Sequence, residues 1–287
     1  MVTDAAWFDY DTNGFPDLMI VGEWMPITIF ANDGKKLTRV ENVSGLEKSD
    51  GWWNRIKAAD IDKDGDTDFV LGNLGLNSFF TPSIDDPMIL YVNDFDKNGS
   101  VEPIFAFTKG NKEYPFALRQ DIIQQISALK KEFVFYKDYA GKSIPEIFEA
   151  SSLAKANRLY FYEPHTSLLI NEGAKGFRLQ KLPVEAQFSP VYGIEVSDVD
   201  GDNLEDIILG GNLFAVKPQV GRYDAMRGLV LQNQGKARFT AMSSVESGLK
   251  IAGEIRHIAT LKTSNETALV FIRNNNTVLL YRPSANR

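Results

Sequence analysis

Four stretches decide how this chain reads: DYDTNGFPD at residues 9–17, DIDKDGDTD at 60–68, DFDKNGSVE at 94–102 and DVDGDNLED at 198–206. Each sets acids at positions 1 and 3, an acid or Asn at position 5, and an acid at position 9. Oxygen-bearing side chains at alternating positions of a tight loop converge on one point, and calcium takes roughly six to eight oxygens in flexible geometry. Glycine at position 6 supplies backbone angles that other residues resist; Gly14, Gly65 and Gly99 stand there. The fourth loop has Asn203 instead, with Gly201 at position 4, and Asn tolerates the left-handed region.

The expected side-chain ligands are Asp9, Asp11, Asn13 and Asp17; Asp60, Asp62, Asp64 and Asp68; Asp94, Asp96, Asn98 and Glu102; and Asp198, Asp200, Asp202 and Asp206. The position 7 carbonyls of Phe15, Asp66, Ser100 and Leu204 would each add an oxygen. The cofactor expected is calcium, up to four ions. Loops two and four carry four carboxylates each and should hold calcium more tightly than loops one and three. Loop three ranks last because Glu102 replaces Asp.

An EF-hand would need a Glu at position 12 and flanking helices. Position 12 is Ile20, Leu71, Phe105 and Leu209, inside the apolar runs LMIVG, FVLGN, PIFAF and IILGG, which read as buried strands. The loops therefore join β-strands. One cluster of Asp, Asn and Gly is an ordinary turn; four in-register copies, each before an apolar strand, make a repeat.

Loops of this form before short apolar strands resemble FG-GAP/VCBS repeats, the calcium-loop blades of integrin-type β-propellers. The turns at Asn32-Asp33-Gly34, Asn171-Glu172-Gly173 and Asn233-Gln234-Gly235 look like the N-x-G…F turn between the outer strands of such blades. The stretches GWWNRIKAADIDKDGDTDFVLGNLGLNSFF and PVEAQFSPVYGIEVSDVDGDNLEDIILGGN, with VGRYDA beyond, are similar to the bacterial secreted VCBS-repeat proteins related to cartilage acidic protein. These often carry an ASPIC/UnbV segment, which has no equivalent here. The resemblance implies an all-β fold: a β-propeller with about four to five blades present, part of a larger ring or a small closed one. It also implies an extracellular or cell-surface location.

The 287 residues, 44% hydrophobic, suffice for one large all-β domain over 1–287. No cysteine is present, which removes disulfides, thiolate catalysis and Cys-zinc sites. Four calcium ions would carry the net charge from −7 to about +1, so the acidity is a metal-binding signature and argues against a nucleic-acid partner. No apolar run is long enough to span a membrane. Met1 leads straight into a repeat without a signal peptide, and a longer secreted polypeptide is expected around this chain.

Strands are expected at 5–8, 18–21, 27–31 and 37–40 in the first blade. The second takes 53–59 and 69–72, is interrupted, and resumes at 167–171 and 177–182. The third runs from 191 to about 242, and 255–261, 268–272 and 278–281 read as strands of another. Within the interruption, residues 108–160 form a helical insertion. Ile122, Ile123, Ile126, Leu129 and Phe133 follow helical spacing, and Ser143-Ile144-Pro145-Glu146 reads as an N-cap with Pro in the first turn. The bland reading is an amphipathic helix pair packed on the propeller.

If the acidic loops share one face, the opposite face gathers Trp24, Trp52, Trp53, Asn73, Asn77, Asn212, Arg222 and Tyr223, the residue types a glycan or peptide site uses. Phe79, Phe80, Phe188 and Phe214 lie there too and read as packing. No nucleophile elbow, phosphate loop or dinucleotide motif occurs, and no catalytic residue is assigned. The expected function is a non-enzymatic, extracellular, calcium-stabilised adhesion module for a glycan or an extracellular protein. The alternative is a carbohydrate-active enzyme, a polysaccharide lyase or glycosidase, using Arg222 and Tyr223 on that face.

Overall fold

A turn-forming loop between two apolar runs makes an antiparallel hairpin. In the computed structural model, which describes residues 1–262 and 267–282, each of the four acidic loops closes one. Loop one joins β1 (Val2–Phe8) to β2 (Asp17–Met25); β3 (Thr28–Asn32) and β4 (Leu37–Arg39) follow in order, and the short β5 (Gly51–Trp52) adds to β2. Loop two joins β6 (Arg55–Ala59) to β7 (Asp68–Gly72). An intervening unit holds β8 (Met88–Asn93), β9 (Glu102–Lys109), β10 (Lys112–Pro115) and β11 (Asn157–Phe161). The second sheet is then completed by β12 (Ser167–Asn171) and β13 (Phe177–Lys181), in the order β6-β7-β12-β13. The third runs β14 (Val191–Ser197), β15 (Asp206–Gly211), β16 (Leu229–Asn233) and β17 (Phe239–Ala241). The fourth has β18 (Ile255–Lys262), β19 (Thr267–Arg273) and β20 (Leu279–Tyr281).

The chain forms two compact units: Met1–Thr81 with the described residues from Pro164 onward, and Pro82–Glu163. In the first unit, β1 lies beside β6, β6 beside β14, and β14 beside β18. Apolar layers fill the gaps. Met19, Ile29, Trp53, Phe69, Leu71 and Phe177 pack between the first and second sheets. Ile61, Val70, Leu168, Ile194, Ile207, Leu209 and Leu231 pack between the second and third, and Ile208, Val230, Ile255, Ile258 and Phe271 between the third and fourth. Successive strand residues point to opposite faces, so Val70 enters one layer while Phe69 and Leu71 enter the other. Burial on both faces is why these strands read as continuous apolar runs, each such side chain contributing about 1.5–3 kcal/mol.

The inserted segment departs from expectation. Its helices lie within the expected 108–160, but the compact unit that holds them extends over Pro82–Glu163 and carries loop three within its own sheet, ordered β10-β9-β8-β11. No helix pair forms. The helices are α1 (Arg119–Gln125), α2 (Tyr136–Tyr139), α3 (Ile144–Ile147) and α4 (Ala150–Lys155), with a 3-10 turn at Ser127–Lys130. Ile126 leaves the helical region (φ −123°, ψ 90°), which breaks the apolar run in its middle. Ile122, Ile126, Leu129 and Phe133 nevertheless share one core with Ile89, Tyr91, Ile104 and Ala106 of this unit's sheet. The Ser143 cap is present: its N–H and hydroxyl both donate to Glu146 Oε2, at 2.9 and 2.6 Å, with Pro145 in the first turn.

Candidate functional site

The loops curl because two positions in each adopt left-handed backbone angles. Position 4 is Thr12, Lys63, Lys97 or Gly201, with φ of 57°, 65°, 61° and 84°. Position 6 is Gly14, Gly65, Gly99 or Asn203, with φ of 83°, 96°, 89° and 67°. Asn203 thus does what glycine does in the other three loops. The curl turns backbone N–H groups inward. Asp9 accepts from Asn13 and Gly14, Asp94 from Asn98 and Gly99, and Asp198 from Gly201 and Asn203.

The position 9 acid is the buried anchor. Asp17, Asp68 and Asp206 are at most 1% exposed and Glu102 is 4% exposed. One oxygen of each Asp accepts from the position 2 backbone: Tyr10 to Asp17 Oδ2 at 2.6 Å, Ile61 to Asp68 Oδ2 at 3.1 Å, Val199 to Asp206 Oδ2 at 3.0 Å. The other accepts from the first residue of the N-x-G turn: Asn32 to Asp17 Oδ1 at 2.5 Å, Asn171 to Asp68 Oδ1 at 2.8 Å, Asn233 to Asp206 Oδ1 at 2.9 Å. Those Asn side chains in turn accept from Gly34, Gly173 and Gly235. The acidic loop and the outer turn are one bonded motif, repeated three times. The sequence shows both halves; their connection was missed because it joins residues up to 103 positions apart. In loop three, Glu102 Oε2 accepts from Phe95 at 2.7 Å.

Ligand atoms of Asp9, Asp11 and Asp17 lie within 4.8 Å of one another, as do those of Asp60, Asp62 and Asp68, of Asp94, Asp96 and Glu102, and of Asp198, Asp200 and Asp206. Two oxygens bound to one calcium at its usual distances are at most roughly 5 Å apart, so each trio can share one hard cation. Asp64 and Asp202, the position 5 acids, fall outside these trios; their Oδ1 atoms accept from the Asp66 and Leu204 backbones at 2.9 and 2.7 Å. Asn13 and Asn98 do the same for Phe15 and Ser100.

The charge balance of the loops also fits a cation. Burial, then the neighbouring Asp64 and Asp60 charges, raises the Asp62 carboxyl above the usual range. Its Oδ1 is buried with no hydrogen-bond partner among the described residues, and a buried carboxylate oxygen without a donor is one that a cation could satisfy. Burial pushes Asp68 up to about 6 against the opposing donors Asn171 and Ile61, and burial likewise raises Asp206. Asp198 is lowered: burial opposes this, but the N–H groups of Gly201, Asn203, Asp200 and Asp202 together prevail.

The opposite ends of the same sheets carry the aromatic residues. Ring contacts run from Trp24 to Trp52 at 5.3 Å, Trp52 to Phe80 at 5.4 Å and Phe80 to Phe79 at 6.0 Å. The Tyr223 hydroxyl reaches Ser78 Oγ at 2.9 Å, though its ring is buried. Arg222 is exposed, its guanidinium 3.5 Å from the Phe214 ring centroid, and Asn77 is exposed with its amide on the Phe188 carbonyl. Besides the buried Tyr223, three of the expected contact residues are interior instead. Trp53 is fully buried with Nε1 donating to the Ser49 carbonyl at 2.8 Å. Asn73 accepts from the Trp52 and Leu74 backbones. Asn212 bonds Met226, Gly253 and Ser189. Each has its polar atoms committed to the chain and no surface for a ligand. Conversely, Phe79 and Phe188, read as packing, are 64% and 44% exposed.

Residues 9–71 match the family model described as FG-GAP-like repeat, so the chain carries repeat sequence of FG-GAP type across its first two acidic loops. No curated protein matches. Among solved structures, the V. cholerae biofilm matrix protein Bap1 is similar at 11% identity and a TM-score of 0.33, over 99% of this chain and 57% of that one. The chain therefore spans little more than half the length of that protein. No helix among the described residues is long and apolar enough to cross a membrane.

Proposed function

We propose that this chain is a calcium-stabilised, non-enzymatic module of an extracellular protein, its sheets set as blades around a common axis, presenting the aromatic ends of those sheets to a glycan or a protein. The observation that carries the reading is the acidic loop itself: four copies, each with three acids close enough to share a cation. All-oxygen donor sets and flexible loops favour calcium over softer metals. The blade arrangement has support in a contact that skips a sheet: Arg55 on β6 meets His257 on β18, across the intervening β14. First strands two places apart touch only if the row of sheets curves tightly. Asp4 beside Arg55 at 3.5 Å, and Lys57 paired with Glu195 at 2.7 Å, line the same inner strands.

Calcium would bridge acids that otherwise repel, and an ion bound by the folded form alone stabilises that form. The test is thermal unfolding with excess calcium and then with EGTA, with the calcium content of the purified protein measured alongside. Several ions per chain and a large fall in melting temperature in EGTA are expected. No bound metal and no shift would reduce the loops to ordinary turns and end the reading.

A further inference from the structure

Loops two and four belong to different sheets, yet they are bonded to each other. Ile61 occupies position 2 of loop two. Its N–H donates to Asp68 Oδ2 at 3.1 Å, within loop two. Its carbonyl accepts from Asn233 Nδ2 at 3.0 Å, with both groups buried. The Asn233 backbone N–H donates to Asp206 Oδ1 at 2.9 Å, the position 9 acid of loop four, and its Nδ2 also reaches the Glu205 carbonyl at 3.1 Å. Two residues, Ile61 through the peptides on its two sides and Asn233 through its side-chain amide and its backbone N–H, thus connect the anchoring acid of loop two to that of loop four. A second link crosses at the surface, where Lys63 Nζ donates to the Asn203 carbonyl, joining position 4 of loop two to position 6 of loop four. The Ile61 side chain, 1% exposed, is locked in the core layer with Ile207 and Leu231 of the third sheet. The equivalent Asn32 amide of loop one donates to Pro16 in its own loop, the counterpart of the Asn233 bond to Glu205.

We infer that the cation sites of loops two and four are coupled through Asn233 and Lys63, so that filling either raises the affinity of the other. The inference rests on the calcium reading given above. A cation drawing Asp60, Asp62 and Asp68 together fixes the two peptides that flank Ile61. The fixed Ile61 carbonyl holds the Asn233 side-chain amide, which steadies that residue and so its backbone N–H on Asp206. Loop four then meets its ion already ordered and loses less conformational freedom on binding. Linkage makes the effect reciprocal: loop four must favour loop two by the same factor. One buried bond and one exposed bond should give a coupling factor of about fivefold, the low end of the usual range.

The experiment uses the whole chain and follows the amide resonances of Gly65 and Gly201 by NMR during calcium titration, so that each loop reports separately. The loop two variant D60N/D62N should shift the loop four midpoint to about fivefold higher calcium, and the loop four variant D198N/D200N should shift loop two equally. Adding Lys63→Met, an exposed change that spares the core, should reduce the factor, and Asn233→Ser should bring it near one. The ratio of midpoints is the readout, so a change in either loop's own affinity cancels. Midpoints that agree within about twofold with and without the partner loop overturn the coupling while leaving calcium binding intact. A persisting factor in the variant lacking both Lys63 and Asn233 overturns this route for it. If neither glycine responds to calcium in the unmodified protein, the calcium reading fails and the coupling falls with it.

Discussion

Replacing Asp206 by Asn separates the two tasks given to the position 9 acid, because the amide keeps the shape but not the charge. In the folded protein Asp206 is 1% exposed and accepts from Val199 and Asn233. The amide can still accept one of these bonds but turns an NH2 toward the other N–H. That loses one charge-assisted bond, worth about 1.5–3 kcal/mol. Against this, burial raises the Asp206 carboxyl, so the ionised group was itself unfavourable in the calcium-free interior, and the neutral amide recovers part of the loss. In EGTA the net destabilisation should therefore be modest, about 1 kcal/mol. With free calcium a hundredfold above its dissociation constant the native loop gains about 2.7 kcal/mol from the ion, and the variant forfeits most of it. The total in calcium should approach roughly 4 kcal/mol. Urea unfolding of both proteins, in calcium and in EGTA, reads the difference directly. An equal loss in the two buffers would refute the reasoning, since Asp206 would then be a backbone anchor and nothing more.

Calcium binding at loop two should weaken below pH 6. Asp68 is pushed up to about 6, the cation requires its ionised form, and at pH 5 the apparent affinity should be about tenfold lower. In the calcium-free protein the same shift acts with the opposite sense. A carboxyl raised in the folded state favours its protonated form, so its contribution to stability grows as pH falls from 6 toward 4 and is lost as pH rises again. Calorimetric titration and calcium-free unfolding over that window check both signs. Trp53→Ala should cost about 3–5 kcal/mol with or without calcium, because it empties a fully buried site in the layer between the first two sheets; a stable variant with altered ligand binding would contradict its interior placement. Chelator titration should empty loop three first and loops two and four last, and loss of loop two before loop three would undo that ranking.

Much of the sheet order could be read from the chain because period-2 burial and the acidic turns act locally. Residues 167–171 are expected as a returning strand after a long interruption, and β12 occupies Ser167–Asn171 and pairs with β7. What could not be read is whatever depends on distant packing. The helical insertion is expected at 108–160 because helical spacing is a local signal. That loop three and β8 belong with it follows from β8 pairing with β11, a strand about 70 residues further on. Trp52 and Trp53 look alike as neighbours, yet alternation sends Trp53 into the core and leaves Trp52 half-buried in the aromatic row.

The carboxylate count that ranks loops two and four first is a charge argument. In all four loops the structure gathers three acids, and in loops two and four the fourth acid, Asp64 or Asp202, also accepts from the position 7 backbone through Oδ1. Loop two is set apart by something composition cannot show: Asp62 Oδ1 is buried without a donor among the described residues, beside an Asp68 already raised by burial. A site with that much unrelieved charge gains most from a cation, because the ion removes a desolvation penalty as well as adding attraction. Its Ile61 carbonyl also accepts from Asn233, so any such relief in loop two would have a bonded route into loop four. On the calcium reading, the position 9 acid is where cation, turn and core would meet. In loops one, two and four a single Asp can then be both the last ligand of its loop and the first fastening of the strands behind it.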